Sequence, residues 1–213
     1  MSAVLTAVEE GDADRLTRLL REEPQLAQRR AGADSPLLVA LYRGRRDLAE
    51  IVLSAAPALD GFEAAAADDV TALERALVAD ASFPHARSAD GFTALHLAAF
   101  FGGARAAARL LSAGADPGAV AAMNQVQPLH SAAAGRHHEI VRLLLHAGAD
   151  PDARQEGGFT PLHAAGQAGD PELARLLLTA GARPDLRDDA GSTPADLADR
   201  GGHTAAASLL RTT

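Results

Sequence analysis

The chain carries short apolar stretches with a helical period, and each is interrupted by a glycine or a polar turn. The clearest example runs from Thr160 to Ala182 and reads TPLHAAGQAGDPELARLLLTAGA. A proline follows the opening threonine, a Gly-Asp pair ends the first helix, and a second helix with leucines on one face stops at Gly181. Several apolar residues of this helix-turn-helix unit point sideways out of the pair. The unit therefore needs neighbours to bury them.

The same unit recurs at a nearly constant spacing. Its opening positions lie 34, 33 and 33 residues apart, at Thr93, Gln127, Thr160 and Thr193. The closing glycines keep this interval, at Gly114, Gly148 and Gly181. A period of 33 residues with the pattern T-P-L-H-x-A resembles the ankyrin repeat. The resemblance implies an all-α solenoid of helix-turn-helix units joined by short β-hairpin or loop fingers.

The chain as a whole divides into about seven such units, which form one domain over residues 1–213. A repeat array has no single core, so its length sets the number of units. The resemblance is strong from residue 89 onward and weaker before it. The predicted units are an N-terminal cap at 1–31, then 32–58, a degenerate unit at 59–88, 89–121, 122–154, 155–188 and a C-terminal cap at 189–213.

The third unit is shorter than the others. Ser35 opens the second unit, as a helix N-cap followed by Pro36 at the first helical position. Counting back from the Asp68-Asp69 turn places the opening of the third unit at Leu59, only 24 residues after Ser35. The missing length is that of a finger in this family. We therefore expect a direct connection here and a gap in the row of fingers.

Two single positions also depart from the repeat pattern. Between the fourth and fifth units, Gln125 stands where the fingertip glycine is expected. Asn124 is the residue there that tolerates the left-handed conformation best. In the last unit, Asp196 replaces the motif histidine, which suits a unit with no successor to bond.

Composition narrows the classes of function. Hydrophobic residues make up 47% of the chain and aromatic residues 3%, which suits closely stacked short helices built from Ala, Leu and Val. A net charge of −8 opposes nucleic-acid binding. All 20 basic residues are arginine, which suggests a GC-rich bacterial genome. The absence of cysteine excludes disulfides, thiolate metal sites and cysteine nucleophiles.

The sequence carries no recognisable targeting signal, membrane span or catalytic motif. The N-terminus lacks a basic region followed by an apolar one, and no apolar run approaches the roughly 18 residues of a membrane span. We therefore expect a cytoplasmic protein without membrane contact. Phosphate-binding, zinc-protease and nucleophile-elbow motifs are also missing, so we expect no enzyme and no cofactor.

The histidines allow two interpretations. The resemblance implies that His96, His130 and His163 bond the hydroxyl of the threonine that opens a repeat and the backbone of the adjacent repeat. The alternative is a small-ligand or metal-binding regulator that uses the histidine-rich fifth unit, with His137, His138 and His146. His138 and His146 lie more than two helical turns apart, too far to share an ion without another element.

Aromatic residues concentrate on one expected surface. In the family, the residues just before each interhelical turn and the fingertips face a concave groove. Tyr42, Phe100 and Phe101 fall at the turn positions, and Phe92 and Phe159 fall on fingers. Clustered exposed apolar residues favour a binding patch. The predicted partner-binding residues are Tyr42, Arg43, Phe92, Phe100, Phe101, Val126, Phe159 and Gln167.

From this surface we predict that the chain is a non-catalytic module that binds a partner protein. We expect the chain to be a monomer. Two alternatives stay open for the aromatic residues. One of Phe100 and Phe101 could fill space left by the slim second helix of the fourth unit, and the finger aromatics could only cover a neighbouring finger. The basic segment at residues 42–46 is either a solvated turn or a selector for an acidic partner, with Arg43 nearest the groove.

Overall fold

Fourteen α-helices make up most of the computed structural model, which describes residues 2–28, 35–55, 58–122 and 124–211. Their bounds are α1 Ala3–Glu10, α2 Ala13–Glu22, α3 Pro36–Tyr42, α4 Arg46–Ser54, α5 Gly61–Ala66, α6 Val70–Ala79, α7 Ala94–Phe101, α8 Ala104–Ser112, α9 Pro128–Ala134, α10 His138–His146, α11 Pro161–Ala168, α12 Pro171–Thr179, α13 Pro194–Arg200 and α14 Thr204–Arg211. Short 3-10 helices cover Pro24–Gln28, Phe83–His85 and Glu156–Gly158. The predicted boundary between residues 31 and 32, and both ends of the predicted domain, lie outside the described residues.

The helices pack as consecutive pairs that stack on one another. The first helix of each pair contacts its own second helix and the first helix of the next pair. In the described part of the chain, the only β-structure is an isolated antiparallel bridge between Arg87 and Thr93. The all-α repeat solenoid is thus confirmed, while the individual unit boundaries stay a prediction. No helix in the described ranges has the length and apolar character needed to cross a membrane.

The interhelical turns show why the Gly-Asp signature recurs. In the sixth unit, Gly169 adopts a left-handed φ of 61° that ends α11. Asp170 follows as the N-cap of α12, where its Oδ1 accepts a hydrogen bond from Leu173 N at 3.0 Å. Asp12 and Asp69 cap the second helices of two earlier units in the same way.

The opening residue of the third unit is Asp60, so the prediction of Leu59 was wrong by one position. Asp60 Oδ1 accepts hydrogen bonds from Phe62 N and Glu63 N, and Glu63 Oε2 accepts one from Asp60 N at 3.1 Å. This reciprocal capping box fixes the start of α5. The first helix of the third unit is one residue shorter than counting from Asp68 assumes, and Leu59 instead packs against the core.

The motif histidines link successive units, as the resemblance implies. Thr93 N donates to His96 Nδ1 at 3.2 Å, so the Nε2–H group donates to the carbonyl oxygen of Val126 at 3.1 Å in the next finger. His163 makes the same pair of bonds, with Thr160 and the carbonyl of Ser192. The fifth unit follows with a bond from His130 Nε2 to the carbonyl of Ala153 at 3.0 Å. All three imidazoles are buried, so these bonds hold at low dielectric.

The apolar core is divided into two large clusters, and a small cluster of Leu38, Ala66 and Leu97 crosses the boundary between the second and third units. One cluster joins α1 to α4 through residues such as Leu16 and Leu48, and a second runs from α5 to α14 through residues such as Leu95 and Leu162. Partly buried Leu59 contacts both clusters. Neighbouring second helices pack closely along the described stack except α4 and α6. Only residues 55–60 connect α4 to α5, in agreement with the expected missing finger.

This divided core predicts that the junction opens before the rest of the stack unfolds. Tyr42 is the single tyrosine of a chain without tryptophan, and its ring lies at the junction. In urea titrations, we expect tyrosine fluorescence to change at a lower urea concentration than the helical circular dichroism signal. A Tyr42→Phe, Phe159→Tyr double variant moves the probe into the later units, where both signals should change together. Coincident transitions in the wild-type protein would contradict a weak junction.

The buried histidines predict a pH-dependent stability. Burial lowers the pKa of His96 to about 4 and also lowers the pKa of His130 and His163. The unfolded imidazole has a pKa of about 6.5, so below this pH the unfolded chain binds more protons than the folded one. The free energy of unfolding should therefore be highest above pH 6.5 and fall as the pH decreases towards 4. For His96 the loss is about 3 kcal/mol at most.

Urea unfolding at pH values from 7 to 5 measures this dependence, with His96→Gln as the comparison. Glutamine keeps a hydrogen-bond donor and does not titrate, so the variant should start less stable and lose less stability as the pH falls. An equal slope in both proteins would show that His96 is not held neutral by the fold.

Candidate functional site

Three adjoining clefts form one groove between the ends of the first helices and the fingers. The central cleft has a volume of ≈ 200 Å³ and is lined by Tyr42, Phe92, His96, Leu97, Phe100, Val126, His130, Ser131, Ala134 and Gln155. The glutamine cleft adjoins it beyond Ala134, with a volume of ≈ 340 Å³. The Asp90 cleft adjoins it beyond Tyr42, with a volume of ≈ 190 Å³. The groove therefore extends over the second to the sixth units.

An aromatic cluster of Tyr42, Phe100 and Phe101 forms one end of the central cleft. The Tyr42 ring lies 4.9 Å from the Phe101 ring and 6.0 Å from the Phe100 ring, and the two phenylalanines are 5.1 Å apart. Tyr42 ends α3 whereas the phenylalanines end α7, so the tyrosine reaches across α5 to the fourth unit. The small residues Ala66 and Ala67 at the end of α5 permit this crossing. The space that they leave is thus used by the chain's own tyrosine.

The two phenylalanines differ in their exposure. Phe100 is 42% exposed and Tyr42 is 46% exposed, so both present ring surface to solvent. Phe101 is half-buried and packs against the small core cluster of Leu38, Ala66 and Leu97. Phe101 thus leans inward onto the first helices of three units, instead of filling space beside the slim α8, and Phe100 stays at the surface.

The finger residues complete the walls of the groove. Phe92 packs edge-on against His96 at 5.7 Å, and Phe159 lies tilted on His163 at 5.2 Å. Both rings are half-buried, as is Val126, whose carbonyl receives the bond from His96. The finger aromatics thus contact the histidines that tie the units together, and their remaining surface lines the groove.

The glutamine cleft has a floor of small residues and two amide side chains. Its lining residues are His130, Ala133, Ala134, Gln155, Phe159, Ala164, Gln167 and Ala168. Gln167, which was among the predicted contacts, is exposed on α11. Gln155 was not predicted, because its finger position carries no repeat signal in the sequence. Only the structure shows that the Gln155 side chain lines this cleft together with Phe159.

The central and glutamine clefts carry no charged side chain, since their histidines are held neutral by burial. Charge appears only in the Asp90 cleft, which Asp60, Arg87 and Asp90 line together with Tyr42. Burial and, to a lesser extent, the negative charge of Asp90 together raise the pKa of Tyr42 to about 12. The groove is therefore uncharged over most of its length and ionised at one end.

Arg43 lies outside the three clefts. Its guanidinium donates to the carbonyl oxygen of Glu9 at 3.3 Å and lies 3.9 Å from the carboxylate of Glu9. The neighbouring Arg45 forms a bidentate pair with Asp47. The basic segment is thus largely balanced by acidic residues of the chain, which favours the interpretation as a solvated turn.

The histidines of the fifth unit make contacts between units. His137 Nε2 donates to the carbonyl of Phe100 at 3.0 Å, and His138 Nε2 lies 2.8 Å from Asp170 Oδ2. Burial alone would raise the pKa of Asp170, but hydrogen bonds from Leu173 N, Arg136 and His138 lower it to about 2. In the described residues, no three His, Asp or Glu side chains are grouped closely enough to hold a metal ion.

Comparison with known families gives one match. The family model described as "Ankyrin repeats (3 copies)" matches residues 62–155 and again residues 129–212. No curated protein matches the chain. The two matched segments together contain the central and glutamine clefts apart from Tyr42.

The left-handed backbone of the fingertip beside Val126 leads us to predict a stabilising substitution. Asn124 and Gln125 both adopt a left-handed φ, of 60° and 53°, and the Gln125 side chain is exposed. A glutamine in this conformation is strained by about 1 kcal/mol, so Gln125→Gly should raise the free energy of unfolding. Asn124→Gly is the matched control and should gain less, because asparagine tolerates this conformation. Equal stability of the Gln125→Gly variant and the wild-type protein in urea titrations would contradict the strain.

Proposed function

The chain belongs to the ankyrin-repeat family, and on this premise we propose that it binds a partner protein through the groove without catalysing a reaction. Ankyrin repeats are generally modules for protein–protein interaction. The observation that carries the proposal is the central cleft, where exposed aromatic rings meet in an uncharged pocket on a chain of net charge −8. Aromatic side chains in such pockets supply most of the binding energy in many interfaces.

The proposed contacts share one side of the stack, at the ends of the first helices and on the fingers. They are Tyr42, Arg43, Phe92, Phe100, Phe101, Val126, Phe159 and Gln167. The rings of Tyr42 and Phe100 would contact the partner most directly, because they are the most exposed aromatic members of the set. Phe101 would act by supporting Tyr42, and Arg43 would contribute at the rim.

The remaining functional inferences follow from charge and composition. We propose a monomeric bacterial protein of the cytoplasm that binds neither nucleic acid nor membrane. The net charge of −8 supports the absence of nucleic-acid and membrane binding, since polyanions and anionic lipid surfaces would repel the chain. The absence of catalytic motifs supports a binding role without chemistry.

Ala134→Arg tests the groove with little risk to the fold. Ala134 is exposed at the end of α9 and lines both the central and the glutamine clefts, so an arginine there should block the groove. We expect loss of the partner captured by the wild-type protein from a lysate of the source organism. The free energy of unfolding should change by less than about 0.5 kcal/mol.

Ala180→Arg is the matched control. Ala180 is exposed at the end of α12 and lines none of the three clefts of the groove. This variant should capture the partner as the wild-type protein does. Capture of the same partner by the Ala134→Arg protein at wild-type yield would contradict binding through the groove.

A further inference from the structure

Neighbouring clefts of the groove share lining residues, so one extended ligand could contact all three. The Asp90 cleft and the central cleft share Tyr42 and Leu97. The central cleft and the glutamine cleft share His130, Ala134 and Gln155. A ligand that follows these shared walls crosses several units and is longer than a single side chain.

The central cleft is suited to one large apolar side chain. Its walls are Tyr42, Phe92, Phe100 and Val126, and the volume of ≈ 200 Å³ is of the order of a single bulky residue. Four polar residues line it, and the ring nitrogens of two of them, His96 and His130, are already bonded within the stack. The other two are Ser131 and Gln155. A buried side chain there would therefore find contact surface and few free polar partners.

The glutamine cleft is suited to a peptide main chain. The side-chain amides of Gln155 and Gln167 form no hydrogen bond with any described residue, and both side chains line the cleft. A primary amide both donates and accepts, as the main chain of an extended peptide requires. The floor of Ala133, Ala164 and Ala168 leaves room for that main chain to approach.

The Asp90 cleft carries a net negative charge, because two carboxylates, Asp60 and Asp90, face one cation, Arg87. Asp60 uses its carboxylate to cap α5, and Arg87 donates to the carbonyl of Gly91 at 2.8 Å. Asp90 is exposed and forms no hydrogen bond or ion pair with the described part of the chain. Its field reaches Tyr42, at the boundary with the central cleft. A cation on the ligand would meet this carboxylate, whereas an anion would be repelled.

Together these features specify the partner of the proposed function, on which this inference rests. We propose that the groove binds an extended, non-acidic segment of the partner protein, with one bulky apolar side chain in the central cleft and a lysine or arginine beside it that pairs with Asp90. The main chain of this segment continues towards Gln155 and Gln167. The charge requirement distinguishes it from an arbitrary apolar sequence.

Selection of a phage-displayed library of random dodecapeptides on the immobilised full chain tests the proposal. We expect the selected peptides to combine a bulky apolar residue with a nearby lysine or arginine and to be depleted in aspartate and glutamate. A selected peptide, made synthetically with a fluorescent label, then serves as the probe in anisotropy titrations. Asp90→Asn should weaken its binding about threefold, as for an exposed ion pair, and Asp90→Lys should weaken it further.

Asp14→Asn is the matched control, because Asp14 is an exposed aspartate on α2 outside the groove. It should leave the binding of the probe unchanged. Ala134→Arg should abolish binding and thereby place the peptide in the groove. Salt should weaken binding to the wild-type protein more than binding to the Asp90→Asn protein.

The contrary outcomes separate the two proposals. Peptides that are excluded by Ala134→Arg but show no basic residue and no response to Asp90→Asn or Asp90→Lys would overturn the charge requirement and leave the groove as the binding site. Peptides that bind the Ala134→Arg protein normally would count against both. Failure to select any peptide would overturn the proposal that the groove binds an extended segment. The proposed function would then be tested by partner capture alone.

Discussion

The stack depends on an imidazole that bonds in two directions at once. A single helix pair leaves apolar side chains at its flanks, so it is stable only against a neighbour. His96 and His163 each accept a bond from the backbone of their own unit and donate one to the next finger. This arrangement requires the neutral ring with its proton on Nε2. The same bonds fix the fingers, and with them Val126 and the rings that line the groove.

The second and third units lack the motif histidine and its hydrogen bond to the next finger. The shape of the groove at this end depends on that absence. Leu38 takes the histidine position in the second unit, and Glu63 takes it in the third. Leu38 joins the apolar cluster beneath Phe101, while Glu63 bonds back to the hydroxyl of Ser35. With a finger missing and the core divided, Tyr42 spans the third unit instead. The aromatic cluster is therefore both a junction between two parts of the stack and a wall of the binding groove.

Repeat periodicity made most of the fold predictable from sequence, because each unit restates the same caps and turns. The opening of the third unit was missed by one residue, since a helix shortened by one position leaves no trace in the spacing. The groove was only partly predictable. The contact of Tyr42 with Phe101 joins side chains two units apart, and the pairing of Arg43 with Glu9 depends on how the first two units stack. Such contacts follow from packing between units, which the repeat pattern does not encode.

The protonation state of the motif histidines in solution tests directly whether their imidazoles form the hydrogen bonds that join successive units. Long-range proton–nitrogen NMR correlations on the labelled full chain report which ring nitrogen carries the proton at His96, His130 and His163. At neutral pH, all three should be neutral with the proton on Nε2, and His96 should stay neutral well below pH 6. Rings protonated on Nδ1, or a His96 that titrates like a free histidine, would show that the units are not joined through these imidazoles.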